Sequence, residues 1–189
     1  MMSMNLKDYM KIYDNFFDQK MCKKILKELK TADWNLHSYN DPLTNTTMSY
    51  DKELSVAYLG ELGDEVTNQL WFGFKQYIDD LSPHIGDHYN SWNGYTQVRF
   101  NRYDKNTQMR LHCDHIHTIF DGSTKGVPIL TILGALNDNY EGGDLILWKS
   151  EKIELKAGSI MIFPSNFLYP HQVLEITKGT RYSFVSWAW

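Results

Sequence analysis

Residues 159–189 read SIMIFPSNFLYPHQVLEITKGTRYSFVSWAW, and the pattern of this stretch indicates the fold class. Three runs in this stretch, SIMIFPS, HQVLEI and RYSFVSWAW, are rich in the β-branched and aromatic residues that strands prefer. The segments PSN and TKGT between them are typical of turns. Three short strands with no helix between them indicate an all-β core.

The same pattern extends back towards residue 95. Five further runs, YTQVRFNRY, QMRLHCDH, PILTILGALN, DLILWK and KIELK, precede the three already described. Turn-forming segments such as NDNYEGGD and KAGS separate them. Eight short strands without intervening helices predict a sandwich or barrel, and the jelly roll, or cupin-like double-stranded β-helix, fits best.

The N-terminal half has a helical pattern instead. The run YMKIYDNFF predicts a short strand, and Asp18 can then cap a helix over QKMCKKILKELKTA. A polar loop is predicted over WNLHSYNDPLTNTTMSYDKELS, and Pro83 is expected to follow the end of a second helix. The second helix has an apolar stripe at Val66, Leu70, Phe74 and Ile78. We expect one domain over residues 1–189, with helical support from residues 1–92 packed on one sheet of a β core at residues 93–189.

Composition narrows the functional class. The net charge of −4 gives no basic footprint for nucleic acid, so we expect no nucleic-acid partner. Cys22 and Cys113 are a poor disulfide framework, which favours a reducing compartment. The N-terminus lacks the apolar core of a signal peptide, and no window is apolar enough to span a membrane. These features predict a cytoplasmic protein with no membrane contact.

His112 and Asp114 lie two positions apart in the predicted strand QMRLHCDH. Side chains at i and i+2 share a face of a strand, so one imidazole and one carboxylate can reach the same ion, while Cys113 points the other way. The alternative is a strand with polar residues turned to water. His171, whose strand face also carries Val173, supplies a third donor. Two histidines and one carboxylate with open positions favour Fe(II), although catalytic zinc is also compatible with this donor set.

Arg181 begins the last predicted strand, where it shares a face with Ser183, Val185 and Trp187. An arginine that points into a barrel is costly unless an anion meets it, and its planar fork suits a carboxylate. The alternatives are an internal Asp or Glu partner or a strand-end arginine in solvent.

The segments FNRYDKNTQMRLHCDH and FPSNFLYPHQVLEITKGTRYSFVSWAW resemble the Fe(II)/2-oxoglutarate-dependent oxygenases, particularly their prolyl 4-hydroxylase-like branch. The resemblance covers residues 95–189, and IYDNFFDQKMCKKIL resembles the opening of that branch more weakly. It implies that iron is bound by His112, Asp114 and His171, and that Arg181 holds the distal carboxylate of 2-oxoglutarate.

The resemblance also implies a surrounding pocket. Tyr103 matches a family tyrosine that contacts the cosubstrate, Trp187 matches an aromatic wall, and Ser183 is placed to add a hydroxyl to the carboxylate site. Ala135 stands where the nearest eukaryotic prolyl hydroxylases have a tyrosine. We expect Thr131, on the same strand face, to take its place.

The implied activity is hydroxylation of a substrate C–H bond, coupled to conversion of 2-oxoglutarate and dioxygen to succinate and carbon dioxide. Fe(II), 2-oxoglutarate and dioxygen are therefore the expected cofactor and cosubstrates, with ascorbate as a reductant. The expected substrate is a prolyl or other peptidyl residue in a protein. Two alternatives stay open: an oxygenase of nucleobases or small metabolites on the same scaffold, and a non-catalytic jelly-roll module that holds zinc or nothing. Related demethylases of alkylated nucleic acids carry a second arginine where this chain has Trp187.

Several polar residues are left without a firm role by the sequence. His115 and His117 are expected on the strand face opposite the metal, and Cys113 is interpreted as packing. Loops at residues 118–126 and 35–50, the latter with Tyr39 and Tyr50, are candidates for a lid over the site. Arg99 and Arg102 could bind a polar substrate or simply be solvated.

Overall fold

The computed structural model describes residues 5–41, 46–50, 52–86, 94–114 and 128–189. A short 3-10 turn at Leu6–Tyr9 is followed by two helices, α1 (Gln19–Leu29) and α2 (Glu61–Ile85). None of the described helices is long and apolar enough to cross a membrane. The strands in chain order are β1 (Lys11–Tyr13), β2 (Asn35–Leu36), β3 (Ser38–Asp41), β4 (Thr46–Ser49), β5 (Ser55–Ala57), β6 (Arg99–Tyr103), β7 (Met109–His112), β8 (Leu130–Ala135), β9 (Glu141–Gly142), β10 (Leu145–Leu147), β11 (Glu151–Ile153), β12 (Ile160–Pro164), β13 (His171–Val173), β14 (Ile176–Lys178) and β15 (Arg181–Ala188).

Two antiparallel sheets form the β core. The larger has the strand order β1-β12-β8-β15-β6-β5-β2, and the smaller has the order β11-β10-β13-β7. The eight strands predicted from the sequence divide equally between them, with β6, β8, β12 and β15 in the large sheet and β7, β10, β11 and β13 in the small one. This exchange between two facing sheets confirms the predicted jelly roll.

Alternation along β12 shows how the two cores form. Ile160 and Ile162 belong to the apolar cluster that the helices share with the large sheet. Met161 and Phe163, one position along, belong to the cluster between the two sheets. β12 in the large sheet therefore buries both faces, one against the helices and one against the small sheet.

Both predicted helices are present on the large sheet. Asp18 caps α1 as expected, because its Oδ1 accepts a hydrogen bond of 2.7 Å from the backbone N–H of Met21. The prediction for Pro83 was wrong, since α2 continues through it to Ile85. A proline this close to a helix end removes only one late backbone bond, and the helix ends instead at Gly86, whose φ of 77° suits glycine.

The loop prediction for residues 34–55 was also wrong. β2 pairs with β5 and extends the large sheet, while β3 and β4 pair with each other as a hairpin. Neither β2 nor β4 has an alternating buried face, since all their described side chains are exposed. Backbone hydrogen bonds hold these strands, and neither strand buries one face. Their sequences therefore lack the alternation of apolar and polar residues by which a strand is recognised.

Candidate functional site

The His112, Asp114 and His171 side chains meet between the two sheets. His112 ends β7 directly opposite His171, which begins β13, and Asp114 follows His112 by two residues. Asp114 Oδ1 lies 3.4 Å from His112 Nε2, and Asp114 Oδ2 lies 3.8 Å from His171 Nε2. The three donor atoms all lie within 4.8 Å of one another, so the register of two strands creates the cluster that the sequence predicted.

The backbone fixes which nitrogen each histidine presents to this cluster. His112 Nδ1 lies 2.7 Å from the carbonyl oxygen of Arg110, and His171 Nδ1 lies 3.1 Å from that of Tyr169. A carbonyl only accepts hydrogen bonds, so both Nδ1 atoms donate. Each neutral ring then has a lone pair on Nε2, the atom that faces Asp114, and this is the tautomer a metal ligand requires.

Asp114 is buried and well supplied with hydrogen bonds. The Thr131 hydroxyl donates to its Oδ2 at 2.7 Å, and Ser165 Oγ lies 2.7 Å from the same Thr131 oxygen. Since the Thr131 proton goes to the carboxylate, Ser165 donates to Thr131. Burial by itself would raise the pKa of Asp114, but His171, His112 and Thr131 outweigh it and hold that pKa well below its usual range. Asp114 is therefore a carboxylate at neutral pH.

The pKa values of the two histidines are shifted in opposite directions. Burial lowers the pKa of His171 below its ordinary value. Burial also acts against protonation of His112, but its contact with Asp114 is stronger and leaves its pKa raised. An ionised carboxylate beside two imidazoles with inward Nε2 atoms is a donor set that fits a divalent transition metal, with the remaining positions open on the pocket side.

Arg181 lies deeper along the same pocket and is only 5% exposed. Its Nε donates to the Tyr140 hydroxyl at 3.2 Å and its Nη1 to Ser183 Oγ at 3.1 Å, while its Cζ lies 5.0 Å from the centre of the Tyr103 ring. No carboxylate among the described residues comes within ion-pair distance of it. A buried guanidinium with only neutral partners is costly, so this end of the pocket favours an anionic ligand.

Gly143 allows close packing of the turn that precedes β10. Its φ of +65° is a left-handed conformation, and a Cβ at this position would overlap the side chain of Ile176. The Gly-Gly turn that the sequence showed therefore lets the chain pass close to Ile176, beside the site.

Most of the predicted pocket residues line one cavity. Tyr103, Val173, Ser183 and Trp187 lie on its wall with the metal cluster and Arg181. The face of β15 predicted from alternation is thus the face that borders the site. Leu54, Met109, Leu133 and Leu145 add an apolar lining that sequence reasoning did not single out.

The structure places Thr131 beside the metal cluster and not beside Arg181. Ala135 lies opposite Ser183 in the strand register, beside Arg181, but Thr131 lies opposite Trp187 and bonds Asp114. A tyrosine hydroxyl that contacts Arg181, besides that of Ser183, belongs to Tyr140 in the segment NDNYEGGD. Only its aromatic character within a polar turn could have indicated this role in the sequence.

The two arginines of β6 lie on opposite faces. Arg99 lines the pocket, with its Cζ 5.0 Å from the centre of the Trp187 ring. Arg102 faces away, 4.7 Å from the centre of the Trp34 ring and 3.0 Å from Asp104. One of the two thus belongs to the site and the other does not.

The remaining candidates either lie outside the described residues or have other contacts. His115, His117 and residues 118–126 lie outside the described residues, as does the side chain of Tyr39. The Arg110 guanidinium lies over the Tyr50 ring, 3.6 Å from its centre, and Tyr50 does not line the cavity. Cys113 is half-buried, and its thiol donates to the Phe167 carbonyl oxygen at 3.7 Å.

Two histidines and one carboxylate on a jelly roll form a donor set that is typical of non-haem Fe(II) oxygenases. Residues 98–189 match the family model of the 2OG-Fe(II) oxygenase superfamily. The chain also resembles a PKHD-type hydroxylase of Acinetobacter baumannii, with 32% identity over 94 residues, and one of Shewanella oneidensis, with 34% identity over 92 residues. This half of the chain is therefore similar in sequence to the 2OG-Fe(II) oxygenase superfamily.

The match covers 47% of this chain and 40% of each of those two relatives, so the chain spans less than half of their length. Solved structures resemble nearly all of the chain. A prolyl hydroxylase from Trichoplax adhaerens, in complex with a hypoxia inducible factor oxygen degradation domain peptide fragment, has a TM-score of 0.69 at 20% identity and covers 96% of this chain and 84% of its own. A Pseudomonas putida prolyl-4-hydroxylase has a TM-score of 0.64 at 14% identity over 95% of this chain and 91% of its own. These TM-scores show a shared fold.

Proposed function

We propose that the protein is an Fe(II)- and 2-oxoglutarate-dependent dioxygenase that hydroxylates a C–H bond in a prolyl or other peptidyl residue. The reaction consumes dioxygen and converts 2-oxoglutarate to succinate and carbon dioxide. One observation carries the proposal: a preformed His/Asp/His cluster shares its pocket with a buried arginine whose described partners are all neutral. A metal cluster alone fits many proteins, whereas the added arginine fits a cosubstrate with two carboxylates.

Each side chain has a defined part in this proposal. His112 Nε2, Asp114 and His171 Nε2 hold Fe(II), which supplies the activation of dioxygen when bound. Their Nδ1–H groups stay on backbone carbonyls and keep both rings in orientation. Arg181 orients 2-oxoglutarate by its distal carboxylate, because its described partners Tyr140, Ser183 and Tyr103 are neutral and leave its positive charge for the ligand.

The pocket wall protects this chemistry. Tyr103 is buried beside Arg181, and burial raises its pKa, so it remains a neutral phenol at this site. Val173, Leu133 and Trp187 present apolar surface to the same space. Such a lining limits access of water to the reacting groups.

Support for a peptide substrate comes from the relatives. The curated relatives are PKHD-type hydroxylases, and the solved structures of like fold include prolyl hydroxylases, one of them with a bound peptide. The ascorbate reductant, the cytoplasmic location and the single-domain organisation stay predictions from the sequence.

The proposal is tested by adding Fe(II) and then 2-oxoglutarate to the protein under anaerobic conditions. We expect a weak visible band when the cosubstrate chelates the metal, and succinate when dioxygen and proline-containing peptides are admitted. Protein given Zn(II) instead of Fe(II) is the matched control and should give neither signal. Absence of both the band and succinate with Fe(II) would contradict the proposal.

A further inference from the structure

The pairing of β7 with β13 shifts register just before His112. Two residues of β7, Arg110 and Leu111, lie there opposite the single residue Gln172. Such a bulge bends its strand and redirects the side chains beside it, and bulges are common next to active sites. Arg110, within the bulge, provides the carbonyl oxygen that accepts the 2.7 Å hydrogen bond from His112 Nδ1. The orientation of this histidine therefore depends on the conformation of Arg110.

The side chain of Arg110 is held by a buried carboxylate from another part of the chain. Glu53 lies between β4 and β5 and is only 4% exposed, and its Oε1 accepts a hydrogen bond of 2.7 Å from Arg110 Nε. The same guanidinium lies over the Tyr50 ring, 3.6 Å from its centre. Two neighbouring side chains thus fix the residue whose carbonyl oxygen orients His112.

Backbone contacts tie the segment around Glu53 to the start of β7. Glu53 forms a parallel β-bridge with Gln108, and the Gln108 N–H donates to the Lys52 carbonyl oxygen at 3.0 Å. The Leu54 carbonyl oxygen in turn accepts a hydrogen bond of 3.0 Å from the His37 N–H. The segment is therefore bonded to two other parts of the chain, which gives Glu53 a defined position beside β7.

Arg110 is the cation that compensates the buried Glu53 carboxylate. His37 Nδ1 also lies 3.7 Å from Glu53 Oε2, but burial, followed by the charge of Arg99, lowers the pKa of His37 to about 4. His37 is therefore neutral at neutral pH, and the ion pair of Glu53 is the one with Arg110. Removing one partner of a buried ion pair leaves an uncompensated charge, which is strongly destabilising. Arg110 is thus bound to one position, and the bulge is held with it.

We propose that Glu53 is a positioning residue for the metal site, which acts through Arg110 to keep His112 in its metal-binding orientation. The inference rests on the proposed function, because a metal at Nε2 gives that orientation its purpose. Glu53 lines neither the pocket nor the metal cluster, so it acts only through the bulge. His171 is held by the Tyr169 carbonyl oxygen, in a different segment. A change at Glu53 should therefore affect one histidine and leave the other as it is.

The test compares the ring N–H protons of the two histidines by NMR, in full-length protein loaded with diamagnetic Zn(II). Their signals are assigned by their loss in His112→Gln and His171→Gln. Both Nδ1–H protons should exchange slowly with water in the unmodified protein, because each is bonded to a carbonyl oxygen. Glu53→Gln should speed exchange at His112 by about 10-fold or more and leave exchange at His171 within about 2-fold. The affinity for Zn(II), measured by titration calorimetry, should fall by about 10-fold, as is typical for loss of an outer partner.

Glu151→Gln is the matched control. It removes a carboxylate from an exposed ion pair with Lys7, on a strand of the same small sheet as β7, and should change neither proton exchange nor metal affinity. A double variant, Glu53→Gln with Arg110→Met, provides the readout if the single variant fails to fold. It removes both charges of the pair, and neutral replacement of a buried ion pair is commonly tolerated. It should show the same selective loss of protection at His112.

Three results would overturn the inference. Exchange at His112 could be unchanged in both Glu53 variants, or it could rise equally at His112 and His171, which would mark a general loosening of the fold. The same effect in Glu151→Gln would show that the response is not specific to the buried pair. The proposed function is judged by a separate readout, the visible band of the unmodified protein with Fe(II) and 2-oxoglutarate. Absence of that band would contradict the proposed function, whereas the NMR comparison reports the role of Glu53.

Discussion

The pocket has a metal end, at His112, Asp114 and His171, and an arginine end, at Arg181. The two ends differ in how the protein compensates a buried charge. At the metal end, the Asp114 carboxylate receives a hydrogen bond from Thr131 and faces two imidazoles held by backbone carbonyls. At the arginine end, Arg181 contacts two hydroxyls and an aromatic ring, all neutral. The protein thus stabilises its buried anion with its own groups but leaves its buried cation for a ligand to neutralise.

This difference predicts how each end should respond to a substitution. A complete polar network couples its members, so a change to its outer hydrogen bonds should be felt at the metal. Loss of the Arg181 charge should lower the affinity for an anionic ligand far more than it disturbs the arrangement of the pocket. The two ends can be compared by substituting the charged groups Asp114 and Arg181, and then the hydroxyl groups of Thr131 and Tyr140 that contact them.

The largest effect is expected for Asp114→Asn. The amide keeps the shape of the side chain but removes the negative charge that a divalent cation requires, so specific Fe(II) binding and succinate formation should both be lost. Asp104→Asn, which removes a half-exposed carboxylate paired with Arg102, is the matched control and should leave both unchanged. Fe(II) titration measures the effect. Retention of stoichiometric metal binding in Asp114→Asn would show that the triad is not the metal site.

The second effect is expected for Arg181→Gln. Two charge-assisted hydrogen bonds to a carboxylate contribute about 1.5–3 kcal/mol each, so the Kd for 2-oxoglutarate should rise by about 100-fold or more. Fe(II) affinity should change by less than about 3-fold, because Arg181 touches none of the three ligands. The control is Arg102→Gln, on the outer face of β6, and the visible band measures both quantities. Equal losses of metal and 2-oxoglutarate would erase the contrast between the two ends.

These central groups are also the part of the site that the sequence could predict. A strand has a period of two, so the position of Arg181 places Ser183 and Trp187 on the same face, and the structure has all three on the pocket wall. The spacing of His112 and Asp114 follows the same rule. Eight strands with clear turns between them likewise predict the two-sheet core, because burial imposes a pattern that the sequence displays.

The outer contacts could not be predicted, because each joins residues from separate segments through the register of the sheets. Thr131 lies on β8 and donates a hydrogen bond to Asp114 from a distant part of the sequence. The register of β8 against its neighbours determines which side chain Thr131 contacts. Tyr140 lies in an irregular turn that carries no period at all. The β3–β4 hairpin was missed for a related reason, since β4 is exposed along its whole length. Backbone pairing and long-range contact leave little trace in local composition.

Thr131→Val tests the outer layer of the metal end. Valine keeps the size of threonine but leaves Asp114 Oδ2 without its donor, and loss of such an outer partner typically weakens metal binding by about 10- to 100-fold. We expect this loss in Fe(II) affinity, with 2-oxoglutarate affinity unchanged once the metal site is saturated. Thr67→Val, in a partly buried position on α2 where the hydroxyl bonds Gly63, should alter neither. The opposite result, weaker 2-oxoglutarate binding with intact metal affinity, would return Thr131 to the cosubstrate role that the sequence suggested.

Tyr140→Phe tests the outer layer of the arginine end and should have the smallest effect. Loss of one hydrogen bond to Arg181 Nε corresponds to about 1 kcal/mol, or about 5-fold in the Kd for 2-oxoglutarate, with no change for the metal. Tyr13→Phe, which removes a hydroxyl bonded to Asp80 far from the pocket, is the control. A double variant sharpens the result. If Tyr140 acts only by orienting Arg181, then Tyr140→Phe should have no further effect in the Arg181→Gln protein. A full 5-fold loss in that background would mean that the Tyr140 hydroxyl contacts the cosubstrate directly, and the arginine end would then offer its ligand a second, independent partner.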